Sequence, residues 1–142
     1  MKFVSVLFPL FAFVLPVISQ TTTQTLSYDT TYTASESLNN LACSNGSNGL
    51  ENKGYQTLGQ LPDFPYVGGV YTVTGWNSPA CGTCYSVMYG STTIYILAVD
   101  VASQGFNVAQ AAMDALTGGQ AVQLGRINVE AAQVNVSYCG FN

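Results

Sequence analysis

Residues 75–85 read Gly-Trp-Asn-Ser-Pro-Ala-Cys-Gly-Thr-Cys-Tyr, and this stretch combines tight-turn residues with two of the four cysteines of the chain. Gly, Asn, Ser and Pro favour turns because they tolerate or preset the backbone dihedral angles of a chain reversal. The alternating residues 85–89 that follow are typical of a strand. The stretch therefore predicts that two crosslinks meet at a turn leading directly into a strand.

The N-terminal segment has the pattern of a secretory signal peptide. Lys2 supplies a basic start, residues 3–18 are almost wholly apolar, and residues 17–19 suit a cleavage site after Ser19. A transmembrane anchor is the alternative, but a spanning helix needs about 20 apolar residues. The pattern predicts a signal peptide over residues 1–19 and a single exported domain over residues 20–142, with no insertion in a membrane.

The four cysteines of this small exported chain indicate structural disulfide bonds. A redox pair at Cys81 and Cys84 is an alternative, but it would need a helix N-terminus, and strand-like sequence follows. Zinc is a further alternative, but the chain has a single CxxC motif and no histidine. The residues therefore favour two disulfides, and they indicate neither a metal site nor a cofactor.

The mature chain is acidic and carries very little charge. Seven acidic residues stand against Lys53 and Arg126, and charged residues make up only 7% of the full sequence. So few basic groups cannot neutralise the phosphates of nucleic acid or of anionic lipid, which argues against both as partners. A neutral ligand rich in hydroxyl groups, such as a polysaccharide, suits this composition better.

Short strands dominate the predicted secondary structure. Residues 93–99 form the most apolar segment of the mature chain, which predicts a buried central strand with Asp100 at its end. Asn107 is predicted to cap a helix over residues 108–117 that ends at a pair of glycines, and Trp76 is predicted to pack in the core. The remaining predictions are a loose tail at 20–25, a short helix at 35–41, and strands at 25–29, 55–61, within 67–75, at 85–89, 122–129 and 131–138. Such a pattern indicates a compact β-rich barrel or sandwich.

The motifs of the mature chain together resemble those of one known family. They are Ser27-Tyr28-Asp29, the segment 43–50, Phe64-Pro65, Val67-Gly68-Gly69-Val70, the segments 75–79 and 81–84, Val99-Asp100, Gly105-Phe106-Asn107, Gly125-Arg126 and Cys139. Over essentially its whole mature length the chain resembles the fungal cerato-platanins. One departure is Tyr85, where many members carry a tryptophan that could stack on a sugar.

The resemblance implies a mostly β protein with short helices, folded as a six-stranded double-ψ β-barrel related to the expansin fold. It implies the disulfide pairing Cys43–Cys81 and Cys84–Cys139. It also implies secretion by a fungus, association with the fungal cell wall, non-catalytic binding of chitin-type oligosaccharides in a shallow groove, and elicitation of plant defence. A plant surface receptor is then a further candidate partner, and a monomer that can self-assemble at interfaces is the expected state.

Four residues are candidates for the lining of that carbohydrate groove: Asp100, Asn107, Tyr28 and Asp29. The matching aspartate of the family faces the groove, whereas the structural alternative for Asp100 is an anchor for loop N–H groups. Asn107 has the alternative role of helix cap, and Tyr28 and Asp29 that of ordinary strand residues. Separately, Asn45 and Asn135 each begin an Asn-x-Ser sequon and are candidate N-glycosylation sites.

Two other classes of function compete with the binding protein. The first is a wall-active enzyme, either an expansin-like loosening protein or a weak endoglucanase. Glycoside hydrolysis usually needs two placed carboxylates. Of the seven acidic residues only Asp100 and Asp29 resemble groove positions, and an acid without an evident partner argues against hydrolysis, so no catalytic residue is predicted. The second is a surface-active coat protein, whose mark would be a broad exposed apolar patch.

Overall fold

The computed structural model describes residues 3–15 and 20–142. Residues 3–15 form neither helix nor strand, and their large apolar side chains are exposed, Leu10 to 99%. Lys2 and the expected cleavage site after Ser19 lie outside the described residues, so the signal peptide stays a prediction. None of the helices in the described ranges is long and apolar enough to cross a bilayer.

Six strands close into a barrel in the order β1-β5-β2-β4-β3-β6. Their bounds are Thr22–Asp29 (β1), Val67–Val70 (β2), Cys84–Tyr89 (β3), Thr92–Val101 (β4), Phe106–Ala109 (β5) and Arg126–Val134 (β6). The pairs β1/β5 and β2/β4 are parallel, and the other four neighbouring pairs are antiparallel. The predicted six-stranded, mostly β barrel is confirmed, and its closure leaves no strand edge unpaired.

The main helix, α1 (Gln110–Thr117), begins later than predicted and lacks the predicted cap. The chain stays extended through Ala109, which occupies the N-cap position without a side-chain hydrogen bond. Asn107 therefore lies inside β5, and the prediction that it caps the helix is wrong. The predicted end is confirmed, because Gly118 adopts the left-handed conformation at φ 66° that glycine tolerates best.

Several predicted elements are replaced by short helical turns. The expected strand at 55–61 contains a 3₁₀ turn at Leu58–Gln60, and the expected helix at 35–41 shrinks to a 3₁₀ turn at Leu38–Asn40 that Ser37 caps. Residues 22–25, expected in a loose tail, belong to β1. A further 3₁₀ turn lies at Leu50–Lys53.

The two strands predicted for the C-terminal region are in fact one. The chain forms a short helix, α2 (Ala121–Leu124), then the single strand β6, and then a 3₁₀ turn at Val136–Cys139. The Asn135 side chain accepts a hydrogen bond from the N–H of Ser137, which caps this turn and ends the strand. The alternation of residues 134–138 predicted a strand, but β6 ends at Val134 and a 3₁₀ turn follows.

Two disulfides tie the loops to the barrel, with the same pairing that the family resemblance implies. Cys43–Cys81 links residues 38 positions apart, and Cys84–Cys139 joins the start of β3 to the C-terminal turn across 55 positions. The hydrophobic core is filled by apolar side chains that are at most 1% exposed, among them Leu26, Val87, Ile96 and Phe106 of the barrel strands and Met113 of α1. The crosslinks and the core therefore fix both the barrel and the loops outside it.

Trp76 lies at the surface, and the prediction that it packs in the core is wrong. Its side chain is 63% exposed, and the indole N–H donates to Oδ1 of Asn45 at 2.7 Å. The next residue, Asn77, adopts a positive φ of 58° in the turn that carries the tryptophan. This turn lies outside the barrel, so the ring has no core position available to it.

Candidate functional site

One row of positions runs across five strands of the barrel. In register, Arg126 of β6 lies opposite Ser27 of β1, followed by Asn107 of β5, Gly69 of β2 and Asp100 of β4. Positions directly opposite on neighbouring strands project to the same side of a sheet. On each of the five strands at least one residue next to the row is buried in the core, namely Leu26, Val70, Val99, Phe106 and Ile127. The row, called here the polar row, therefore lies on the outer face of the barrel.

Asp100 is held in place by two hydrogen bonds. Its Oδ1 accepts from the backbone N–H of Ala42 at 3.0 Å, and its Oδ2 accepts from the hydroxyl of Tyr32 at 3.0 Å. Burial, together with the neighbouring carboxylate of Asp100, raises the pKa of Tyr32 above its ordinary value, so this hydroxyl remains a donor. Asp100 thus does anchor a loop. Because a carboxylate offers about four acceptor positions, it still has capacity for a ligand.

Asp29 and Asn107 form a second hydrogen-bonded group. Oδ1 of Asp29 accepts from the N–H and the hydroxyl of Thr31 at 2.9 and 2.7 Å, and its Oδ2 accepts from Nδ2 of Asn107 at 3.2 Å. Oδ1 of Asn107 accepts from the hydroxyl of Ser27 at 3.0 Å. The hydrogen bonds from Thr31 lower the pKa of Asp29 below its ordinary value. This carboxyl therefore stays ionised and is a poor proton donor.

Two surface cavities open beside these groups. One, of about 390 Å³, is lined by Asp29, Tyr32 and residues 64–65 and 109–111 among others. The other, of about 310 Å³, is lined by residues that include Ser27, Asn107 and Arg126. The hydrogen bond from Asn107 to Asp29 joins the two linings. The arrangement offers fixed donors and acceptors to a neutral, hydroxyl-rich ligand.

Three of the four predicted groove residues take part in these two groups, and Tyr28 does not. It alternates with Asp29 along β1 and packs, partly buried, against the core. Its proposed groove role stays a prediction that no observed contact supports. Sequence reasoning missed Tyr32 and assigned no role to Arg126, although the Gly125-Arg126 motif had been noted. Only the strand register brings Arg126 beside Ser27.

Comparison with known proteins assigns the family. The family model described as Cerato-platanin matches residues 24–141.

The chain belongs to the cerato-platanin family.

Among its relatives is the heat-stable 19 kDa antigen of Coccidioides immitis, 50% identical over 119 residues that cover 83% of this chain and 82% of the relative. The crystal structure of cerato-platanin 3 from M. perniciosa is 50% identical, has a TM-score of 0.81, and is matched over 84% of this chain and 100% of its own. The solution structure of the fungal elicitor cerato-platanin is 44% identical, with a TM-score of 0.75 over 81% of this chain and 95% of its own. The family resemblance read from the motifs is confirmed.

The remaining candidate sites of this cerato-platanin lie away from the polar row. Both sequon asparagines are exposed, but each side chain already accepts a hydrogen bond, Asn45 from Trp76 and Asn135 from Ser137. Glycosylation at either position stays a prediction. Within residues 3–15 and 20–142, no three His, Cys, Asp or Glu side chains cluster closely enough to hold a metal ion.

Proposed function

We propose that this protein is secreted by a fungus, binds chitin-type oligosaccharides at the cell wall without cleaving them, and elicits plant defence. The signal-peptide pattern of residues 1–19 supports secretion. A structural neighbour that is 44% identical carries the description of a fungal elicitor, and a 50% identical relative that of an antigen. Both descriptions suit a protein that meets another organism outside the fungal cell.

The polar row, together with Asp29 that accepts a hydrogen bond from Asn107 of the row, carries the proposal for oligosaccharide binding. Asp100, Asn107 and Asp29 each have their side chains fixed by hydrogen bonds within the protein. A carboxylate that accepts from a sugar hydroxyl forms a charge-assisted hydrogen bond, which is stronger than a neutral one. Side chains that are already ordered lose little conformational entropy when a ligand arrives. The row therefore has the properties of a preorganised site for hydroxyl groups.

The lowered pKa of Asp29 favours binding over hydrolysis at this site. A glycosidase needs a protonated carboxyl group as general acid at its working pH. The lowered pKa of Asp29 makes it unsuited to that role. The carboxyl group whose pKa is raised, Asp63, lines a different cavity with Tyr66 and Tyr95. An expansin-like loosening activity or a weak endoglucanase is the competing function.

Binding and cleavage are separated by one experiment on the purified mature protein. Titration calorimetry with chitin and cellulose hexamers measures affinity, and mass spectrometry of the same solutions detects shorter products. We expect Asp100→Asn to weaken binding of the chitin hexamer by about 1–2 kcal/mol, because a charge-assisted hydrogen bond is lost. Asp114→Asn is the matched control, since Asp114 also accepts from a backbone N–H, that of Ala121, but lies outside the polar row.

The outcomes are distinct. If a folded Asp100→Asn variant binds the chitin hexamer as tightly as the wild type, Asp100 only anchors the loop at Ala42 and does not bind sugar. Release of shorter oligosaccharides that depends on Asp100 would move the protein to the enzyme class. If the wild type binds no chitin oligomer, the binding proposal fails. Elicitation is tested by infiltrating leaves with the wild type and with the binding-deficient variant, which should give a weaker defence response if the two activities share the groove.

A further inference from the structure

A third surface cavity, of about 440 Å³, lies next to the two beside the polar row, and the three cavities together are called here the groove. It shares Ser103 and Gln104 with the cavity that contains Asn107 and Ser27, so the two cavities adjoin. The loop between them is fixed, because the backbone of Gly105 accepts a hydrogen bond from the N–H of Tyr71 at 2.8 Å. This larger cavity is called here the Tyr71 cavity.

Strand β1 supplies one continuous edge to the groove. Thr23, Thr25, Ser27 and Asp29 alternate along the strand and so share one face. The first two line the Tyr71 cavity, whereas Ser27 and Asp29 line the two cavities beside the polar row. At about 3.3 Å per residue, the edge from Thr23 to Asp29 extends about 20 Å. A groove of that length accommodates several linked sugar rings.

The lining of the Tyr71 cavity is polar but carries no charged side chain. Three carboxamides, Gln24, Gln104 and Asn128, each offer both a donor and an acceptor. An acetamide group likewise presents one N–H and one carbonyl, so it can pair with such side chains. A phosphorylated or sulfated chain would find no cation in this lining. The lining therefore suits a neutral sugar that carries an N-acetyl group.

The tyrosine gives the cavity an aromatic wall of fixed orientation. Tyr71 is 38% exposed, and its ring packs edge to face against Phe106 with the centroids 6.0 Å apart. Phe106 is itself 1% exposed, so it provides an immobile support. A partly exposed aromatic ring held in this way can stack on the apolar face of a pyranose ring without losing side-chain freedom.

We propose that the Tyr71 cavity is a further subsite of the groove, which binds a sugar of a β-linked N-acetylhexosamine chain. Tyr71 stacks on the ring, and the carboxamides hydrogen-bond to the N-acetyl group. The proposal rests on the oligosaccharide binding proposed above and names the residues that select for the N-acetyl group. A chain long enough to reach both the polar row and this cavity gains contacts that a disaccharide at the row does not make.

The test compares tyrosine variants with chitin oligomers of two lengths. We expect Tyr71→Ala to weaken binding of the chitin hexamer about three- to tenfold, the usual range for an aromatic contact, and to change chitin dimer binding little. Tyr71→Phe keeps the ring and should retain hexamer affinity. Tyr138→Ala is the matched control, because Tyr138 is 57% exposed and stacks on Tyr95 elsewhere. Gln104→Ala should lower the ratio of the affinity for the chitin hexamer to that for the cellulose hexamer, because it removes one carboxamide that pairs with the N-acetyl group.

A second measurement does not depend on the folding of any variant. Side-chain amide signals of Gln24, Gln104 and Asn128 in the wild type should shift when the chitin hexamer is added in an NMR titration. If the wild type binds the hexamer but these signals and the affinity of Tyr71→Ala are both unchanged, the subsite is refuted while the polar row remains the binding site. If the wild type binds no chitin hexamer, the proposed function and this subsite fail together.

Discussion

Neutralising Asp63 should stabilise the protein at neutral and alkaline pH. This carboxyl group lines a cavity of about 210 Å³ with Tyr66, Ile94 and Tyr95. Within the part of the chain that the structure describes, its buried Oδ2 has no hydrogen-bond partner. Burial raises the pKa of Asp63 to about 7, compared with about 3.9 for an exposed aspartate. Ionisation in the folded state is therefore unfavourable.

The sign of the pH effect follows from the pH at which Asp63 releases its proton in the folded and in the unfolded state. Below about pH 4, Asp63 is protonated in both the folded and the unfolded state, so it has no effect on stability. Between about pH 4 and 7 the unfolded state ionises first, so the free energy of unfolding falls as the pH rises, and above about pH 7 the loss is complete. A pKa difference of this size corresponds to about 4 kcal/mol for a fully buried group. Because Asp63 is half-buried, solvent screening reduces the expected loss to about 1–2 kcal/mol.

Asp63→Asn keeps the shape of the side chain and cannot ionise. Urea unfolding at about pH 4 and about pH 8 should show equal stability near pH 4 and a gain of about 1–2 kcal/mol for the variant near pH 8. Asp114→Asn is the control, because its carboxylate accepts the N–H of Ala121 and its neutralisation should give no gain. The reasoning is refuted if Asp63→Asn is no more stable than the wild type near pH 8, or if its gain is the same at both pH values.

Two further predictions concern the scaffold. Removing the second disulfide by Cys84→Ala with Cys139→Ala should lower the free energy of unfolding by about 4 kcal/mol, because the bond closes a loop of 55 positions in the unfolded chain. A melting temperature equal to that of the oxidised wild type would contradict this prediction. Gly69→Ala should cost about 1–3 kcal/mol, since an added Cβ would lie 2.5 Å from the carbonyl oxygen of Val101. Denaturant unfolding measures this cost. Gly75→Ala is the control, because its added Cβ meets nothing within 4 Å, and it should leave the free energy of unfolding nearly unchanged. An equal loss of stability in both variants would contradict the argument from close approach.

Local sequence was sufficient where a segment carries its own signal. The apolar run at residues 93–99 lies within β4, in which Ile96, Leu97, Ala98 and Val99 are fully buried. The alternation at 85–89 coincides with β3, and the glycine at 118 ends α1 because few other residues tolerate its positive φ. The combined motifs were specific enough to indicate the family, and with it the fold and the disulfide pairing.

Tertiary structure decided what depends on pairing between distant segments. Asn107 has a good helix-cap side chain, but pairing of its strand with both β1 and β2 keeps it extended and directs its side chain to Asp29. Trp76 was predicted to be a core residue because of its type, but side chains from other segments fill the core and the turn that carries Trp76 lies outside the barrel. The polar row exists only because five strands align in register, from Ser27 to Arg126. The periodicity of a sequence indicates which face of a strand a residue occupies, but not which strand lies beside it. The candidate site depends on this pairing of strands, so only the tertiary structure could show it.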